Sequence, residues 1–568
     1  MHTPLKRVAT AIVAVSLAVG CAPAASPSPV AVPPPSGSPA ATSIAPIASA
    51  SPLPSRPAAV DTGPLGWIKV GEVKAGGIDL LLALDGGYLG WEATGDEGYP
   101  VARYSSDGVT WTHADLAKEI TPCPGWTARP DGEVSAGATN GNAAVLVGLE
   151  YDPTATTCGT WRAAAWVTSD GTSWRRAPGF AAAVDGNAWG HDVWATPDGW
   201  EAAVTSPDRI TIWQSVDGLD WTEAATVAQG RADLGWHAAD ADGTRLLVVF
   251  DEETESSHLL TSTDGRDWHE IDGPPPTLGG IARILAPDLD TQPWIVVTTE
   301  DEAGTSTVWT STDLEHWDSA PFPMPSVESI AHTSYGLLAF GADPCRETGG
   351  PCDTAPSQYF LSPDGMVWTP LDAAVDAVTF VESGAGVIGI GYPKPGGDVQ
   401  SVWRLEPYSA DEASLFTGLR GDARFACAAR RVDLPAHAIA GIDCSPQVEG
   451  IDRIGAYLFA DAADLLDTYF KRLADNGVKL RSGSCPKRAG EVAYVPGDDG
   501  STVSPYRYGC FVNEFGNANY RFTDPDSLVY IGILGMDKDL ERLHKWAWRG
   551  NQDQPGSPTV WRRNADGQ

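Results

Sequence analysis

Basic residues are scarce in this chain: 38 lysines and arginines stand against 74 aspartates and glutamates, for a formal net charge of −36. A protein that grips nucleic acid needs a basic footprint, so nucleic acid is set aside as a partner, and anionic lipid headgroups are disfavoured with it. The plain consequence of this acidity is solubility of an exported protein. No Cys-x-x-Cys pair or histidine-rich cluster occurs, which removes the usual zinc arrangements. A Ser-His-Asp order, a phosphate-cradling glycine loop and a Walker pattern are also missing. No cofactor and no metal are therefore expected.

What is present begins with an address. Lys6 and Arg7 precede a short apolar stretch from Val8 to Val19, the layout of a targeting segment that takes no part in the fold. Leu17-Ala18-Val19-Gly20-Cys21 then resembles a bacterial lipobox, which implies a lipidated Cys21 as the mature N-terminus; ordinary cleavage near the Ala-rich stretch is the alternative. Residues 21–60 are almost entirely Pro, Ala, Ser and Val, a composition that cannot bury a core and acts as a spacer. The expected location is extracytoplasmic, on the cell membrane through the lipid alone.

Beyond the spacer, Ser/Thr-x-Asp-(Gly)-x-x-Trp recurs six times. The copies end at Trp111, Trp174, Trp221, Trp268, Trp317 and Trp368, spaced by 63, 47, 47, 49 and 51 residues. A period in the forties to low fifties, with short alternating strands between, is the mark of a β-propeller. In each copy the aspartate (Asp107, Asp170, Asp217, Asp264, Asp313, Asp364) can accept backbone N–H groups of its own turn, and the hydroxyl residue can do the same. The following Gly supplies a positive φ without steric cost. The Trp is expected to open the outermost strand and bury its ring. The fifth copy has Leu314 in the glycine position, so its turn should be altered or strained. The pattern resembles the Asp-box, or BNR, repeat of sialidases and related propellers, over roughly residues 61–408. That resemblance implies that the boxes are structural clips on the outer rim, away from the ligand face.

Six boxes need not mean six blades. After the sixth, Ala377–Val381, Gly386–Gly391 and Ser401–Leu405 read as three more strands with no fourth. Gly66-Trp67-Ile68-Lys69-Val70 resembles the Trp-led strand that follows each box, and pairing it with the last three would hide both sheet edges. The expected fold is thus mainly β: a seven-bladed propeller, with six blades as the alternative, followed by a small α+β disulfide-containing domain.

Setting Cys21 aside leaves eight of the nine cysteines, an even number that suits an oxidising compartment. Eight allow about 105 pairings; locality favours Cys123–Cys158, Cys345–Cys352, Cys427–Cys444 and Cys485–Cys510. Past residue 408 the periodicity changes, and residues 409–550 are read as the α+β domain with 551–568 as a disordered tail. Asp461 to Asp475 has Leu465, Leu466, Tyr469, Phe470 and Leu473 on one helical face, and a second helix runs from about Asp537 to Trp548. The helices start about 76 residues apart, each after a strand, so the domain reads as two copies of a strand–strand–helix unit. It resembles small disulfide-bearing domains found outside the membrane in bacterial sensor and kinase-like proteins, which implies recognition.

A sialidase-like glycosidase would need an arginine cluster, a tyrosine nucleophile with a Glu partner, and an acidic acid/base. The family's Arg-Ile-Pro stretch is missing: Arg209-Ile210, Arg283-Ile284 and Arg453-Ile454 lack the proline. Tyr335, Tyr359 and Tyr392 have no partner that spacing identifies. Asp79, His191, His237, Arg283, His332 and Glu382 fall near inner strands and could reach a central channel, without forming a constellation. No catalytic residue is assigned. The expectation is a monomeric, lipid-anchored protein that presents the propeller to a glycan, peptide or protein ligand. A sialidase-like hydrolase and an envelope assembly or scaffold factor are the alternatives.

Overall fold

The protein was analysed as a computed structural model. The structure describes residues 65–74, 78, 80–84, 86–92, 101–116, 132–151, 161–180, 188–230, 232–251, 254, 256–271, 273, 281–287, 292–299, 306–342, 358–371, 377–391, 399–424, 427–446, 448–480, 482, 485–492, 507–548 and 560–561. Cys21 with the flanking leader and spacer, Asp79, Tyr392, and the cysteines at 123, 158, 345 and 352 lie outside them.

Short runs of alternating Val, Ile, Leu and Ala punctuated by tight turns build six four-stranded antiparallel meanders. The first blade comprises Leu80–Leu84, Gly87–Glu92, Val101–Ser105 and Thr112–Asp115; the second Gly132–Thr139, Ala144–Tyr151, Trp161–Thr168 and Arg175–Arg176. The third comprises Trp189–Thr196, Gly199–Ser206, Arg209–Ser215 and Thr222–Gln229; the fourth Ala232–Ala239, Arg245–Asp251, Ser256–Ser262 and His269–Glu270. The fifth comprises Ile281–Leu285, Trp294–Thr299, Ser306–Ser311 and Asp318–Pro321; the sixth Ser326–Thr333, Gly336–Ala342, Gln358–Ser362 and Thr369–Leu371. Each first strand packs beside those of its neighbours, as blades around a propeller axis do.

The separate blades number six, where seven are expected from the sequence. The strands Ala377–Ser383, Gly386–Gly391 and Val399–Pro407 do recruit Leu65–Lys74 as a fourth, antiparallel from Leu65↔Pro407 to Lys74↔Val399. This set does not end there. Leu65–Lys74 also pairs in parallel with Ala428–Arg430 through Ile68↔Ala429, and the sheet runs on to eleven strands. Its first strand packs between those of the sixth and first blades.

The reason the ring holds can be read from two positions in each second strand. One residue pairs with the repeat's Ser or Thr, and the next points to the opposite face. The first set is Tyr88, Ala144, Trp200, Arg245, Trp294 and Leu337; the second is Leu89, Val145, Glu201, Leu246, Ile295 and Leu338. Across the seams Leu89 shares a core with Ala144, Val145 with Trp200, Leu246 with Trp294, and Ile295 with Leu337. Leu338 meets Val387, and Ile388 meets Tyr88, which closes the circle. One seam differs: between the third and fourth blades the two residues are Glu201 and Arg245.

The six repeat turns join third strands to fourth strands. In every one the Asp Oδ1 accepts two successive backbone N–H groups at 2.6–3.2 Å. The Ser or Thr hydroxyl donates to the same oxygen at 2.9–3.3 Å. The Trp stands one residue before the fourth strand rather than opening it, and in four turns its indole N–H donates to the carbonyl of the repeat glycine. Leu314 keeps the left-handed geometry of the glycines, φ 62° against 70–82°. That conformation costs a non-glycine residue roughly 1–2 kcal/mol, offset by packing of its side chain against the Leu246–Trp294 cluster.

The described residues past 408 form a sheet and three α-helices: α1 (Ala410–Gly418), α2 (Ala462–Asp475) and α3 (Leu540–Ala547). Ser409 and Glu412 cap α1 reciprocally, and Asp461 caps α2. Asp537 lies ahead of α3, which Asp539 caps. The central strands Ile451–Phe459 and Val529–Gly535 pair with one another, and α2 and α3 each follow one of them. Disulfides join Cys427 to Cys444 and Cys485 to Cys510. They fit an oxidising, extracytoplasmic environment, and among the described residues no helix is long and apolar enough to cross a membrane. The segment read as a disordered tail contains Val560 and Trp561, which are buried against Leu419, α1 and α3, with Val560 N–H donating to the Ala547 carbonyl at 3.2 Å. Arg431 fixes the two parts of the chain together, donating to Glu412 at 2.8 and 2.9 Å and to Glu406 of the last ring strand.

Two outcomes follow from this architecture. Trp67 is 0 % exposed and packs 5.2 Å from Tyr359 of the sixth blade. Trp67→Ala should therefore cost about 3–5 kcal/mol in denaturant unfolding; a change under about 1 kcal/mol would mean that the N-terminal strand does not hold the ring. The second outcome concerns acid. Burial pushes the Asp170 carboxyl up, but donation from the N–H groups of Ser173 and Thr172 outweighs it and lowers the pKa to about 2. Asp107 and Asp217 are lowered in the same way, and for Asp264 and Asp313 backbone donation is the leading influence. A depressed folded pKa contributes stability above the unfolded value and loses it as pH falls through the folded one. Asp170→Asn should thus be less stable than the parent at pH 7 by roughly 1 kcal/mol, and the gap should close between about pH 4 and pH 2. Urea titrations across that range read it directly.

Candidate binding site at the channel face

Chain direction decides which end of the ring is free for a ligand. Third strands run into the repeat turns and fourth strands leave them, so each first strand begins at the opposite end, beside the axis. There the pairing of first with second strands slips, between Gly190/Asp192, Leu234/His237, Ile281/Arg283 and Val327/Ser329. Such bulges twist a strand and re-aim its side chains. They place His191, Trp236 and Glu328 at or next to unpaired positions on three inner strands.

From the third blade to the sixth, residues of these strands meet in pairs. His191 Nε2 lies 3.7 Å from Asp233 Oδ1, and the Asp233 side chain is mostly solvent-facing. His237 Nδ1 is hydrogen-bonded to Asp192, and its ring stacks on Trp194 at 4.4 Å. The Arg283 guanidinium sits 4.0 Å over the Trp236 ring while donating to the Ala282 carbonyl at 2.7 Å and to the Glu328 carbonyl. Burial pushes the Arg283 pKa down and the Glu328 carboxylate opposes this. Trp236 remains 38 % exposed, a large open aromatic residue beside groups of both charge signs.

Of the polar residues expected near a channel, His191, His237 and Arg283 belong to this array. His332 and Glu382 do not: they lie toward the repeat-turn end and bond to neighbouring backbone, His332 Nε2 donating to the Ala286 carbonyl at 2.8 Å and Glu382 accepting from the Ser334 N–H. Asp192, Asp233, Trp194 and Trp236 were not picked out from the sequence. Their signal was present only as polar or aromatic residues in first strands whose bulges could not be foreseen.

Tyrosine chemistry is poorly placed. Tyr359 is fully buried among Trp67, Phe340 and Phe380. Tyr335 lies in the turn after the sixth blade's first strand, at the repeat-turn end, where burial and then Glu406 and Glu382 raise its pKa. Arg209 opens a third strand and Arg453 lies in the sheet beyond the ring, so neither joins Arg283. Among the described residues no group of three or more His, Cys, Asp or Glu side chains could hold a metal ion.

No family model matches the chain, and no curated protein matches it. Solved structures similar to it include the β-propeller domain of Myceliophteria thermophila Cps50 (Swd1), at 8 % identity and TM-score 0.37, covering 59 % of this chain and 99 % of that one. An endosialidase of phage phi92 is 14 % identical with a TM-score of 0.34, over 62 % and 70 % of the two chains. Trypanosoma rangeli sialidase is 10 % identical with a TM-score of 0.33, over 83 % and 93 %. The neighbours thus include sialidases and propeller domains of other kinds, and likenesses this distant carry no argument about activity.

Proposed function

We propose that this protein is an extracytoplasmic binding module, anchored by lipid at Cys21, that presents the channel face of its propeller to a glycan, peptide or protein. On this reading the fused four-strand set acts as the seventh blade, and the repeats are Asp-boxes serving as clips. The observation that carries the proposal is the open Trp236 indole with Arg283 stacked on it, on a first strand that also carries Asp233, the partner of His191. Exposed aromatic and arginine groups side by side are the usual anchors of recognition surfaces. Hydrolysis of a sialoside asks for more arginines and a reachable tyrosine, and the described first strands carry one arginine, Arg283, and no tyrosine. The formal net charge of −36 also does not favour an assembly partner that needs a basic patch.

A glycan array combined with crosslinking to envelope proteins tests this. A ligand retained by the parent and weakened at least tenfold by Trp236→Ala and Arg283→Ala supports binding at this face. Turnover of a fluorogenic sialoside by the purified protein would overturn it. For the anchor, Cys21→Ser should release the protein from the membrane fraction and abolish incorporation of labelled fatty acid; unchanged retention would remove the lipid from the proposal.

A further inference from the structure

The seam between the third and fourth blades breaks the rule that the other seams follow. Where the others bury apolar pairs, this one buries Glu201 and Arg245, 1 % and 2 % exposed, with Arg245 Nε 2.7 Å from Glu201 Oε2. Desolvating two charges costs several kcal/mol per ion, and apolar residues of similar size would commonly be as stable or more so. The pair is kept satisfied by a set of neighbours. Trp194 Nε1 donates to Glu201 Oε2 at 2.9 Å, Gln214 Nε2 to Oε1 at 2.8 Å, and Arg245 also donates to the Gly243 carbonyl. Even the fourth repeat turn is shaped around it: a Cβ on Gly265 would lie 2.2 Å from Glu201 Oε1.

Beside this pair, on the repeat-turn side of the ring, lies a cavity of about 500 Å³. That size falls within the range of small-ligand sites. Its lining combines apolar surface, including the exposed Val216, with hydrogen-bonding groups: the carboxylates of Asp198 and Asp220, the guanidinium of Arg266, and the hydroxyls of Thr222 and Thr263. Gln214 forms part of the wall, held by the Asp264 carbonyl at 2.7 Å and by Arg266 Nε at 3.3 Å. The lining decides the ligand class by elimination. An apolar ligand would strip water from these groups and return no hydrogen bonds. An anion would face the Asp198 and Asp220 carboxylates, and a cation the Arg266 guanidinium. A neutral molecule carrying many donors and acceptors fits all of them.

We propose that the cavity between the third and fourth blades binds a neutral polyhydroxylated ligand, a saccharide unit, at a site separate from the channel face. Asp198 and Asp220 accept from its hydroxyls, Arg266 donates to them, and the buried Glu201–Arg245 pair with Gln214 holds the wall in shape.

Saturation-transfer NMR on the full chain tests it, using neutral disaccharides of glucose, mannose, galactose and N-acetylglucosamine, with citrate and spermidine as charged controls. At least one neutral disaccharide should show saturable transfer and a Kd raised tenfold or more by Asp220→Ala and by Arg266→Ala, both exposed rim residues that give the turn's clip only their backbone N–H groups, which alanine keeps. Thr263→Trp should block the site by bulk. Absence of transfer from all neutral sugars, preference for either charged control, or indifference to the rim variants would each overturn the proposal. Loss with Trp236→Ala alone would place the sugar at the channel face instead, which separates this inference from the proposed function.

Discussion

A four-stranded meander of this composition is apolar on both faces, and neither face can be left to water. Each blade therefore needs a neighbour on either side, and only a closed circle gives every blade two. The seam pairs, from Leu89 with Ala144 round to Ile388 with Tyr88, are the local form of that requirement. Everything else rests on it. The repeat turns hold the third and fourth strands of each blade in register, and Trp67 brings the start of the chain back to cover the last set of strands.

The closure has a second consequence. Because Leu65–Lys74 is the outer strand of the last set, its free edge is available for pairing, and Ala428–Arg430 takes it up. The C-terminal sheet is thus grown onto the ring rather than tethered beside it. The Arg431 contacts to Glu406 and Glu412 reinforce the joint: burial works to raise the Glu412 pKa, and the Arg431 guanidinium together with donation from Ser409 more than offsets it.

The seam between the third and fourth blades carries polar groups from one end of the ring to the other. At the channel end Asp192 and His237 are bonded, His237 stacks on Trp194, and Trp194 donates to Glu201, which meets Arg245 at the far end. The two faces are therefore joined through one contiguous set of side chains, in the place where the other seams are filled with aliphatic and aromatic residues.

Much of the scaffold was legible in the sequence for a physical reason. The Asp turn is a local structure, complete within seven residues, so its recurrence reveals strand order without any long-range information. The helical faces of Leu465, Tyr469 and Leu473, and of Leu540 and Leu543, were legible for the same reason, as is the Ser409-x-x-Glu412 capping box of α1. What only the tertiary structure decided depends on contacts between distant segments. The merging of the last four strands into an eleven-stranded sheet, the burial of Val560 and Trp561, the meeting of Trp236 with Arg283, and the partnership of Glu201 with Arg245 all join residues whose separation in the chain bears no relation to their separation in space. The sequence by itself determined the turn, the period and the apolar stripes. The ring decided which polar residues would face one another, because closure brings adjacent blades face to face whatever they carry.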